Sequence, residues 1–117
     1  MTLPPINIPE LLRRHGLRPD KRLGQNFLID ESALQRVVEA SGLQPDEAAL
    51  EIGPGLGSLT RHLAQRCRRV VAVELDESLL PPLRAVVAAF ENVEIVPGDI
   101  LMLDPQRLMA DPDGNPP

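Results

Sequence analysis

Apolar positions along this chain fall into three short runs separated by amphipathic stretches, and that alternation predicts strands joined by helices. The runs are Ala48–Ile52, Val70-Val71-Ala72-Val73 ending in Glu74, and Val93-Glu94-Ile95-Val96. Between the first two, residues 60–68 read as a crossover helix with Leu59 and Leu63 facing a sheet. Between the last two, residues 78–90 read as a second helix, which tolerates Pro81 and Pro82 because they fall in its first turn. Upstream, a short helix from Asn7 or Ile8 to His15 is ended by Gly16. Asp30 can cap another helix, whose Leu34, Val37 and Val38 share a face before Gly42 stops it. These two upstream helices read as scaffolding. From Ala110 onward the chain is a Pro- and Asp-rich loop, and no internal repeat is found. The class implied is α/β.

The turn after the first run carries the most chemistry: Glu51-Ile52-Gly53-Pro54-Gly55-Leu56-Gly57. Glycines at alternate positions let the backbone turn sharply and approach a ligand without a Cβ in the way, and a helix opens near Ser58 and Thr60. A dinucleotide site uses a similar turn, but its G-x-G-x-x-G fingerprint puts the third glycine one residue later and a pyrophosphate on the helix N-terminus. Glu51 would repel a pyrophosphate and attract a cation. The loop resembles the methionine-binding loop of S-adenosylmethionine-dependent methyltransferases, whose cofactor carries an ammonium and a sulfonium.

A second acid, Glu74, ends the second run 21 positions after Gly53. At the end of the second strand of such a fold an acid takes ribose hydroxyls as a double acceptor, at about this spacing. Asp99, in Pro97-Gly98-Asp99-Ile100, stands at the end of the third run, where ligands of open α/β sheets bind, and could accept from an adenine amino group. Taken singly, either acid could be a solvated loop residue or a helix cap. The register with Gly53 favours a site.

The resemblance narrows at Lys21-Arg22-Leu23-Gly24-Gln25-Asn26-Phe27-Leu28, which is similar to the N-terminal motif of the ribosomal RNA adenine dimethyltransferases acting on small-subunit rRNA. It covers residues 21–104. In that family the Gln-Asn-Phe-Leu segment closes over S-adenosylmethionine, so the resemblance implies Asn26 and Leu28 as cofactor contacts beside Glu51, Gly53, Gly55, Glu74 and Asp99. Phe27 could line the cofactor or target pocket or simply belong to the core. The fold implied is a Rossmann-like class I methyltransferase fold, incomplete, with the first three strands and their helices. Erythromycin-resistance methyltransferases of large-subunit rRNA share the Gln-Asn-Phe-Leu element and are the nearest alternative. Pro54 in the Gly loop looks more like the small-subunit family. A non-catalytic RNA-binding assembly factor and a dinucleotide-binding oxidoreductase are the more distant alternatives.

The family's catalytic motif, Asn-Leu-Pro-Tyr or close to it, follows its fourth strand, and nothing here matches it. Asn115-Pro116-Pro117 has the wrong residues and follows no apolar run. The resemblance therefore expects the catalytic residues beyond Pro117. It divides the chain into a basic arm, residues 1–28, and the N-terminal half of a methyltransferase domain, residues 29–117, without catalytic motif or C-terminal helical domain. In that family strand four pairs with the free side of strand one. Without it Ala48–Ile52 is an exposed apolar edge, so a chain of 117 residues is expected to fold poorly alone.

Charge alters this picture modestly. The net charge of -5 argues against nucleic acid, yet residues 1–28 carry Arg13, Arg14, Arg18, Lys21 and Arg22 against Glu10 and Asp20, a net of +3 that leaves -8 elsewhere. That segment could meet phosphates of small-subunit rRNA or be a solvated face. Arg66, Arg68 and Arg69 suit a helix C-terminus. The single cysteine, Cys67, forms neither an internal disulfide nor a zinc site, and His15 and His62 lack metal-ligand spacing, so no metal is expected. Met102 and Met109 read as packing residues. No stretch approaches membrane-spanning length and no leader pattern opens the chain, which points to the cytoplasm.

Overall fold

Val70, Val71, Ala72 and Val73 are all buried, and because successive side chains of a strand point to opposite faces, both faces of this segment are covered. It lies in β2 (Arg69–Glu74), the middle strand of a parallel three-stranded sheet flanked by β1 (Ala48–Ile52) and β3 (Val93–Pro97). The computed structural model describes residues 3–18 and 30–111. Ile52 stands opposite Val73, and Glu74 opposite Pro97, so the three strands end nearly level. Gly53 N donates to Val73 O at 2.9 Å and Gly98 N to Glu74 O at 2.9 Å, which carries the ladder one step into each following loop.

The helices begin where short polar side chains can cap them. Asn7 accepts from Glu10 N at the start of α1 (Ile8–Arg14). The Asp30 carboxylate accepts from Ser32 N and Ala33 N at the start of α2 (Glu31–Ser41), which stops at Gly42, φ +74°. The crossover helices are α3 (Ser58–Arg66) and α4 (Leu80–Val87), the latter entered through a 3-10 turn at Glu77–Leu79 with prolines in its first turn. A short α5 (Pro105–Met109) follows β3, capped by Asp104. Leu11 and Leu12 of α1 pack with Leu56 and Leu79, so α1 sits on the glycine loop and the turn after β2. A second cluster, Ala64, Cys67 and Val70, joins α3 to the sheet.

Two expectations gain detail and two are corrected. Of the apolar positions in α2, Val38 is buried but Val37 is exposed. In α3 Leu59 and Leu63 do face the sheet, lining a groove along β1, but they are only half-buried, whereas Thr60, Arg61, His62 and Ala64 are buried. The cause is common to both: Val37, Leu59 and Leu63 border an open groove along β1, an edge strand of the described sheet, while the buried polar groups have partners. Met102 is exposed, unlike Met109, because it rides the outward 3-10 turn Ile100–Met102. Finally, of the three arginines only Arg66 belongs to a helix end. Arg66 donates to Leu43 O, Arg68 to Asp46 O, and Arg69 to the carbonyls of Leu108, Met109 and Ala110, so they tie turns together. No helix among the described residues is long and apolar enough to cross a membrane.

Candidate functional site

The glycine loop is held by an acid on each side of it. Glu51, on β1, is buried and accepts from the Thr60 hydroxyl of α3 at 2.5 Å. Burial pushes its carboxyl pKa above the ordinary 4.5; the Thr60 hydrogen bond opposes this and the nearby negative charge of Glu74 adds to it. Glu74, at the end of β2, accepts from Gly55 N through Oε1 at 3.0 Å and from Asp76 N through Oε2 at 2.9 Å. One carboxylate thus ties the loop after β1 to the turn after β2. A carboxylate has about four acceptor positions, so both oxygens keep capacity for a ligand's donors.

Two glycines have distinct reasons for their identity. Gly53 has φ +72°, and a Cβ there would meet nothing within 4 Å, so its face is open for close approach. Gly57 has φ +86°, and a Cβ there would stand 3.0 Å from Leu83 Cδ1 and 3.2 Å from Val86 Cγ1, so it lets α3 start hard against α4.

Glu51, Gly53, Gly55 and Glu74 line one open cleft of 640 Å³ at the C-terminal ends of β1 and β2. Its size falls within the range of small-molecule sites. Two carboxylates and the freely approached backbone of the loop suit a ligand with a cationic end and hydroxyl donors. The structure does not bring Asp99 into this cleft. Asp99 caps the 3-10 turn after β3, accepting from Leu101 N at 2.9 Å. Asn26 and Leu28 lie outside the described residues. Among the described residues no group of three or more His, Cys, Asp or Glu is placed to hold a metal ion.

The opposite wall comes from α2, through Asp30, Ala33 and Leu34. Its apolar pattern alone marks that helix as scaffolding, not as a cleft wall. Its signal was proximity: Asp30 is two residues past Leu28 of the Gln-Asn-Phe-Leu motif.

A family model described as ribosomal RNA adenine dimethylase matches residues 16–115. A ribosomal RNA small subunit methyltransferase A from Geobacter metallireducens is 50% identical over 99 residues, covering 85% of this chain and 36% of the relative. Among solved structures, the 23S rRNA methyltransferase ErmE is similar with a TM-score of 0.63 and 42% identity, over 68% of this chain and 32% of that one. Phosphoethanolamine N-methyltransferase 1 from Haemonchus contortus, in complex with phosphoethanolamine and S-adenosylhomocysteine, is similar with a TM-score of 0.53 and 27% identity, over 62% of this chain and 16% of that one. The chain spans little more than a third of the length, 35–37%, of such curated relatives.

Proposed function

Because the chain belongs to the ribosomal RNA adenine dimethylase family, we propose that its cleft seats S-adenosylmethionine for dimethylation of adenine N6 on two adenines near the 3' end of small-subunit rRNA. The observation that carries the cofactor assignment is the pair of buried acids, Glu51 and Glu74, on one cleft beside the open face of Gly53. When bound, the cofactor supplies an electrophilic methyl group. Glu51 attracts its ammonium, Gly53 and Gly55 pass its methionine end, and Glu74 takes the ribose hydroxyls while holding the loop in shape. Asp99, which follows the neighbouring strand β3 and lies outside the cleft lining, takes the cofactor adenine where the ligand extends past Glu74, its carboxylate serving the ligand and Leu101 N together. Asn26 and Leu28 serve as further cofactor contacts, as the family resemblance implies.

Catalytic positioning of the target adenine is assigned to family segments outside the matched length, because no described residue supplies the asparagine side chain and carbonyl that orient N6. Adenine N6 is a poor nucleophile, and hydrogen bonding and placement carry much of the acceleration. The small-subunit substrate is favoured over the large-subunit one by the higher identity and coverage of the relative bearing that name. A ribosomal substrate places the work in the cytoplasm.

Calorimetric titration with S-adenosylmethionine and with NAD tests the reading. Binding of the first and not the second is expected, with Glu74→Ala weakening it about tenfold to a hundredfold. Binding of NAD alone would support the dinucleotide alternative. Binding of cofactor and immature small subunits by the longer family protein, without methyl transfer, would support an assembly role.

A further inference from the structure

Outside the carboxylate pair, Glu31, the first residue of α2, holds two buried side chains at once. Its Oε1 accepts from Arg61 Nη2 at 3.1 Å and its Oε2 lies 2.5 Å from His62 Nε2. The Arg61 and His62 side chains are only 7% and 6% exposed, and Arg61 Nε makes no hydrogen bond. A solvated surface pair would be worth little, but this one is enclosed and incompletely satisfied, so Glu31 is what makes the buried guanidinium tolerable.

The geometry points to Glu31 as a positioning residue for the cofactor cleft, clamping α2 against α3 through Arg61 and His62. Consecutive residues project about 100° apart around a helix, so one carboxylate gripping both fixes α2 in rotation and in height along α3. Each helix carries a cleft wall directly from that grip. Leu34 is three residues after Glu31, on the same side of α2, and lines the cleft. Ser58 and Leu59, on the first turn of α3, line the cleft's other side, immediately after the glycine loop. Apolar packing between the helices would hold them together without specifying one register, whereas buried ionic groups are retained in some proteins for that specificity at no gain in stability. The inference rests on the cofactor reading of the cleft and adds the device that sets its width.

The test is calorimetric titration of the folded chain with S-adenosylhomocysteine, alongside thermal melting. Glu31→Ala is expected to weaken binding about tenfold or more, and Glu31→Gln, which keeps an acceptor for Arg61 and a polar group for His62, to recover most of that loss. Should Glu31→Ala fail to fold, the triple variant Glu31→Met, Arg61→Met, His62→Leu removes every charge while keeping volume. That variant is expected to melt near the parent and still bind about tenfold more weakly. Parent-like affinity in a folded Glu31→Ala chain, or in the triple variant, overturns the clamp. Absence of binding by the parent itself would instead overturn the cofactor reading.

Discussion

β1 and β2 each carry an acid at or next to their last residue that lines the same cleft, yet they are built differently. β2 is covered on both faces, and its Glu74 reaches across to bond the loop that follows β1. β1 lies at an edge of the described sheet, and its Glu51 turns back to Thr60 of the helix that follows its own loop. The central strand therefore organises a neighbour, while the edge strand organises only its own crossover. On the rung they share, Val73 is 2% exposed and its partner Ile52 is 61% exposed. The cleft rests on a firm side and an open one.

The largest expected effect comes from placing the same charge on both ends of that rung. Val73→Asp would bury a carboxylate with no partner and should cost more than about 4 kcal/mol, enough to abolish the folded state. Ile52→Asp should change stability by less than about 0.5 kcal/mol, since the new charge stays in water. Urea unfolding followed by circular dichroism separates them. Equal losses would mean that something covers the β1 edge in solution, and the contrast between the strands would collapse.

Next in size is the joint between the two crossover units. Gly57→Ala sets a Cβ against Leu83, Val86 and Val87 of α4 in a left-handed backbone, so both overpacking and strain apply, about 2–3 kcal/mol together. Gly53→Ala has the strain but open space around it, about 1–2 kcal/mol. The same unfolding experiment, run on both, asks whether the β1 unit leans on the β2 unit at Gly57. If Gly53→Ala proves the costlier of the two, the joint has been misplaced.

The strands were legible because each is a short apolar run, and the glycine loop because its residues have a local reason to be glycine. Glu51 and Glu74 were legible as cleft acids because they flank that loop in register. That Ala48–Ile52 is an edge was legible only through the family resemblance, since Ala48–Ile52 and Val70–Val73 are both apolar and periodicity does not separate them. Long-range pairing was invisible. Nothing local marks Arg61 and His62 as buried, and their burial depends on Glu31, 30 and 31 residues earlier. Periodicity likewise announced that α2 had an apolar face but not that Leu34 would line a cleft while Val37 met solvent. Asp99 shows the reverse limit: its spacing marks the end of β3, but its bond to Leu101 N is a local cap and it is not part of the cleft lining.

The smallest effect sharpens the comparison through pH. Desolvation holds the Glu51 pKa above 4.5 in the folded chain, so its contribution to stability is fully present below that value and is lost as pH rises through the folded-state pKa. Glu51→Gln removes the titration yet leaves an acceptor for Thr60. The parent should therefore lose stability relative to this variant as pH rises across that window, as read from paired urea midpoints between about pH 4 and about pH 8. At the other strand the same change has a different expected shape. Gly55 N and Asp76 N bond different oxygens of Glu74, and a carboxamide turns an NH2 group toward one of these donors, so Glu74→Gln should lower stability by about 1–2 kcal/mol. A rising advantage for Glu51→Gln and a penalty for Glu74→Gln would show one acid carried at a cost for its ligand and the other needed by the fold itself. Parallel profiles would make the two acids equivalent and leave the difference between β1 and β2 a matter of cover alone.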